Sequence, residues 1–167
     1  MQGQQIPPSP VPGLETEIVM LIQQLVADLP AGTAELLLQR VPGHPGWPNP
    51  YFAVTPRNPR AAAFKGVVVE NDLHLTIGKL AAREFAGFAR GATILKGRTP
   101  EEEFRSIWHT VTSGGFNEEV HYNRRGKLVT ASAKIHVENI QLTFSYGSRF
   151  ISNLVKRKRE TVLYEPY

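Results

Sequence analysis

The chain has 167 residues, 19 lysines and arginines against 15 aspartates and glutamates, a net charge of +4 and no cysteine. Without cysteine there is no disulfide, no thiolate nucleophile and no cysteine-ligated zinc or iron–sulfur site. A composition of 41% hydrophobic and 20% charged residues is that of a globular protein, and a basic surplus this small chiefly aids solubility.

Residues 1–13 hold Pro7, Pro8, Pro10 and Pro12, which lack a backbone donor and exclude a helix interior or central strand; we expect a tail ahead of one domain spanning 14–167. Residues 14–29 predict a first helix, because Leu14, Ile18, Leu21, Ile22, Leu25 and Leu29 fall on one face and Pro30 and Gly32 stop it. Its apolar run follows Glu15 and Glu17 and is interrupted by Gln23, Gln24 and Asp28, unlike a secretory leader or a membrane span. We therefore expect a soluble, cytoplasmic protein without membrane association.

Ala34 to Val41 reads as a strand. Residues 42–59 carry six prolines, with His44, Trp47, Tyr51 and Phe52 between them, and predict a stiff loop with a short edge strand at Tyr51–Thr55. Residues 64–78 predict a hairpin with Val67, Val69, Leu73, Leu75 and Ile77 on one face and a three-residue turn at Glu70, Asn71 and Asp72. Leu80, Glu84, Phe85 and Phe88 suit a short helix over 79–90, and Thr93–Lys96 a short strand.

Thr99, Pro100 and Glu102 form a capping-box signature, with Glu101–Glu103 at the positive end of the helix dipole. Phe104, Ile107, Trp108 and Val111 are the stripe of that helix, and Gly114 and Gly115 end it. Three strands are expected next: Glu118–Asn123, Lys127–Val137 after a turn at Asn123–Gly126, and a strand from Ile140 to Tyr146. A two-residue loop at Glu138–Asn139 pairs Val137 with Ile140 and Ile135 with Leu142. Phe150, Ile151, Leu154 and Val155 suit a closing helix over 148–159, and Thr161–Tyr164 an edge strand or tail.

The fold class is thus α+β: an antiparallel, curved or two-part sheet of about six strands with two or three flanking helices. Val69–Ile77 resembles Val137–Phe144 with one residue dropped, so two αβββ halves, 14–78 and 100–147, are conceivable.

The chain carries no dinucleotide fingerprint, phosphate loop, nucleophile elbow, HExxH or EF-hand pattern. We expect no cofactor and no metal, and no residue is assigned as catalytic. Pocket or polar-face candidates are Glu119, His121 and His136 on neighbouring strands, and His44 and Trp47 in the proline-rich loop. Glu118 and Glu119, adjacent on a strand, point to opposite faces and do not converge. Anion-binding candidates are Arg124, Arg125, Lys127, Lys134 and the run Lys156, Arg157, Lys158, Arg159. The expected function is a non-catalytic protein-interaction module, with a protein partner or a second copy. The alternatives are a nucleic-acid-binding protein using the basic set, and a small-ligand binder or enzyme with a pocket under the 42–59 loop.

Overall fold

A computed structural model describes residues 14–41, 49–69, 72–79, 81–85, 97–137, 140–146 and 158–167. Element order is α1 (Leu14–Ala27), β1 (Ala34–Val41), β2 (Asn49–Pro56), β3 (Phe64–Val69), β4 (Asp72–Ile77), β5 (Ala81–Phe85), α2 (Pro100–Thr112), β6 (Phe116–Tyr122), β7 (Leu128–Val137), β8 (Ile140–Tyr146) and β9 (Lys158–Leu163). The protein is α+β with antiparallel sheets.

Of the curved or two-part sheet expected, the single curved form of about six strands is not what forms: there are two sheets. The first is a five-stranded meander in the order β1-β2-β3-β4-β5. The second runs β8-β7-β6-β9, the Greek-key order in which a fourth strand returns beside the first of three. Each sheet follows a helix; among the described residues the expected half 14–78 holds α1 and four strands and the half 100–147 holds α2 and three, so the two are not matched αβββ units. Strand β5 runs beside β8, and the sheets abut there without a shared ladder.

Both helices and both sheets feed one core. Ile18, Leu21, Ile22 and Leu25 of α1 meet Phe104, Ile107, Trp108 and Val111 of α2, with Phe52, Val54, Phe64, Leu73, Leu75 and Ile77 from the first sheet. Phe116, Ala133, Ile135 and Val137 enter from the second. Complete burial of each large apolar side chain contributes about 1.5–3 kcal/mol against the entropy of ordering it.

Helix α2 begins as its sequence requires. The Thr99 side chain accepts from Glu102 N, and the Glu102 carboxylate accepts from Thr99 N at 2.8 Å. Arg105 Nε donates to Glu101 Oε1 one turn away at 2.8 Å. We expect Thr99→Ala to cost about 1 kcal/mol, read as a lower urea midpoint at unchanged slope. No loss would mean the cap is redundant.

The hairpin of β7 and β8 has the expected register, with Val137 opposite Ile140 and Ile135 opposite Leu142. The earlier hairpin does not. Val69 pairs with Asp72 and Val68 with Leu73, so two residues, not three, separate the strands. A one-residue change of register exchanges the faces of a strand. Phe64, Gly66 and Val68 are therefore buried, while Val67 and Val69 lie half-buried on the other side.

Strand β2 is not a short edge piece of a loop but lies between β1 and β3. Its pairing with β3 covers only Tyr51–Val54, which leaves Pro50 and Pro56 outside that ladder. The segment read as a helix over 79–90 contains β5, paired with β4 from Leu73–Phe85 to Ile77–Ala81. Lys158 and Arg159 belong to β9 and not to a closing helix. The tail 1–13, residues 42–48 of the expected loop 42–59, the strand at 93–96 and residues 148–157 of the expected closing helix lie outside the described residues. Among the described residues, no helix is long and apolar enough to cross a membrane.

Candidate functional site

Three places draw chemically useful side chains together. The first is the outer face of the second sheet. Asn117, Glu119 and His121 on β6 alternate with Phe116, Glu118 and Val120, which face the core. His121 Nε2 lies 2.7 Å from Glu119 Oε1, and Arg159 of β9 forms an ion pair with the other carboxylate oxygen. Burial works to raise the pKa of Glu119. The hydrogen bond from His121 and the Arg159 charge outweigh it and hold the carboxyl below its usual range.

His136 shares that face but not that site. His121 stands opposite Thr130, and His136 lies six residues further along β7, about 20 Å away at strand rise. The two histidines therefore do not converge. Among the described residues, no group of three or more potential ligands could hold a metal ion. His44 and Trp47 lie outside the described residues.

The second place is the β6–β7 turn. Asn123 Oδ1 accepts from the backbone N–H groups of Arg125 at 2.9 Å and Lys127 at 3.0 Å, and Gly126 N donates to Asn123 O. Gly126 has φ 71°, the left-handed conformation that glycine adopts without Cβ strain. This fixed turn leaves Arg124, Arg125 and Lys127 exposed. On the adjoining strand Lys158 is opposite Tyr122 and Arg159 opposite His121, which brings five of the eight basic candidates to one end of the sheet. Lys134, opposite Asn117, stands about 20 Å from that end. Lys156 and Arg157 lie outside the described residues.

The third place is a half-buried polar seam between the sheets. Glu118 is fully buried. Its Oε2 accepts from the Tyr164 hydroxyl at 2.5 Å and from Lys79 N at 2.7 Å. Lys79 Nζ is 3.3 Å from the Tyr122 hydroxyl and 3.7 Å from Glu160 Oε1. Burial opposes the charge on Lys79, but the bond to Tyr122 and the nearby carboxylates prevail and raise its pKa. Burial, then the Glu118 carboxylate, push the Tyr164 phenol well above its ordinary range. Gly78, at φ 68°, admits the seam: a Cβ there would lie 2.6 Å from Glu118 Oε2 and 2.7 Å from the Tyr164 hydroxyl. The seam joins the β4–β5 turn of one sheet to β6 and the closing segment of the other.

Comparison of the chain with protein families, curated sequences and solved structures finds no match.

The sequence did not single out the open edge of the first sheet. Among the described residues β1 pairs only with β2, and its other side carries no ladder. Leu37 is 52% exposed and Leu38 37% exposed. The signal was present, since three consecutive leucines cannot all face inward from a strand whose side chains alternate.

Proposed function

We propose that this protein is a non-catalytic interaction module that pairs with a second copy of itself through β1. The supporting observation is the leucine-rich open edge. Natural proteins blunt exposed edges with charge. The outer strand β9 of the second sheet begins with Lys158 and Arg159, whereas the middle of β1 carries Leu36, Leu37 and Leu38.

A two-fold axis through an antiparallel pair must stand normal to the sheet, so paired residues share a face in both copies. Centred on Leu37, this places Leu37 against its own counterpart and Leu36 against Leu38. Every leucine of one strand then meets a leucine of the other. Glu35 faces Gln39 and Arg40 faces Ala34, so no like charges oppose each other. Centring on Leu38 instead sets Leu36 against Arg40 and Leu37 against Gln39, which forfeits that match. An eight-residue edge is small beside a standard interface, and we expect a dissociation constant on the order of micromolar.

Sedimentation equilibrium over a concentration series tests this. The native chain is expected to move from monomer to dimer mass, and Leu37→Lys to remain monomeric with an unchanged circular-dichroism spectrum. That substitution sets lysine against lysine at the axis. A native chain that stays monomeric throughout the series, or a Leu37→Lys variant that still dimerises, removes the proposal.

A further inference from the structure

We infer that the β6–β7 turn and the start of β9 form a binding site for the phosphate backbone of a nucleic acid. The site lies in the second sheet, away from the β1 edge, and does not depend on self-association.

The argument begins with charge distribution. No aspartate or glutamate occurs from Val120 to Val137, while Arg124, Arg125, Lys127 and Lys134 do. None of Arg124, Arg125 and Lys127 takes part in an ion pair among the described residues, and all three are exposed. The β6–β9 ladder then adds Lys158 and Arg159 at the same end; as neighbours on a strand they lie on opposite faces, Lys158 beside Tyr122 and Arg159 paired with Glu119, so that they flank the three turn cations. Lys158 Nζ lies 5.9 Å from the centre of the Tyr122 ring, which positions its ammonium over an aromatic face. Glu119 engages Arg159 and His121 on the far side of this group, and Glu160 is drawn to Lys79.

Rigidity is the second element. A mobile run of basic residues must be ordered on binding, at an entropic cost for each long side chain and its backbone. Here the backbone is already held by the Asn123 carboxamide and by the bond from Asn123 N to Lys127 O at 2.9 Å. From His121 to the turn the group extends about 10 Å at strand rise. Duplex DNA carries a charge about every 1.7 Å of its axis, so the group faces several phosphates at once.

Tyr122 is engaged by Lys79 and Lys158, which leaves it unsuited to stacking on a base. Among the described residues the site offers cations and no stacking platform, so contact with the phosphate backbone dominates, and binding is expected to vary little with sequence.

The experiment measures binding of a duplex of about 20 base pairs, in two unrelated sequences, as a function of salt. The native chain is expected to bind both duplexes alike, with affinity falling steeply as salt rises. Replacing all three turn cations, Arg124→Gln with Arg125→Gln and Lys127→Gln, is expected to flatten the slope of log affinity against log salt by about 2 to 3. Lys65→Gln, an exposed cation of the first sheet, serves as the control and is expected to leave the slope unchanged. Thermal melts confirm that each variant folds. Absence of duplex binding at low salt, an unaltered slope in the triple variant, or retention on heparin without duplex binding would overturn the assignment.

Discussion

Trp108→Ala is expected to destabilise the protein by about 4 kcal/mol. Trp108 is 4% exposed and lies at the junction of three parts of the fold. Its ring stacks on Phe64 of β3 with centroids 4.7 Å apart, and meets Tyr167 of the closing segment at 6.3 Å. Tyr167 is anchored in turn, its N–H donating to Thr112 O at 3.0 Å and its hydroxyl to Ala62 O. Truncation thus removes the indole, leaves a large cavity between helix and sheet, and frees a ring that holds the closing segment. Denaturant unfolding followed by circular dichroism measures the loss. A cost below about 1.5 kcal/mol would show that α2 does not pack on the first sheet as described.

The consequences extend to the closing segment. Glu165 N donates to Arg60 O, the Asn58 amide donates to Pro166 O at 3.0 Å, and Arg60 forms an ion pair with Glu165. These contacts, with Tyr167 on Trp108, bind the end of β9 to the loop between β2 and β3. The two sheets are consequently joined at one end by backbone and side chains of the segment Tyr164–Tyr167. The surface ion pair contributes little by itself, since exposed pairs are typically worth 0–1 kcal/mol. The buried rings and backbone bonds carry the connection.

What was legible in the sequence follows from which signals are local. Helix α2 announces itself through Thr99, Pro100 and Glu102, because a capping box satisfies specific orphan donors at a fixed spacing. The β7–β8 register is equally local: a strict alternation from Val129 onward and a two-residue loop permit one pairing that buries a single face. Strand β5 was not legible. Ala81, Ala82, Arg83 and Glu84 favour a helix, and only the free edge of β4, distant in no linear sense but invisible to propensity, extends them into a ladder. Likewise the prolines of β2 suggested a loop, yet its neighbours need only the four central residues for pairing on one side.

The candidate sites divide in the same manner. Opposite faces for Glu118 and Glu119 followed from strand geometry, and the structure has one buried and one on the outer face. The partners of Glu118 did not follow. Lys79 is 39 residues away and Tyr164 46 residues away, and no period or motif relates them. Convergence of the basic turn with Lys158 and Arg159 also depended on β9 returning to the edge of β6, a topological choice absent from the residues themselves.

The Glu118 seam supplies the second large effect. Glu118→Ala is expected to cost about 3 kcal/mol, because it removes the carboxylate that accepts from both the Tyr164 hydroxyl and the Lys79 N–H, leaves those two only each other, and opens a void where a fully buried side chain stood. Tyr164→Phe removes one bond from the carboxylate while retaining the ring stacked on Phe116 at 5.1 Å, and is expected to cost about 2 kcal/mol. The double variant should cost less than the sum of the two, since each single change destroys the same bond. The phenol also sets a pH dependence. Its pKa is raised in the folded protein above the unfolded value of about 10, first by burial and then by Glu118. The folded state therefore binds the proton more tightly, and this stabilisation is complete below about pH 10 and is lost as pH rises through the folded value. Tyr167 is raised by burial as well and adds to the same alkaline decline. Tyr164→Phe should make the fall in stability above pH 10 shallower, with Tyr167→Phe measured beside it to separate the two phenols. Strict additivity of the Glu118 and Tyr164 changes, or an alkaline limb identical to that of the native chain, would mean that the seam does not couple the sheets.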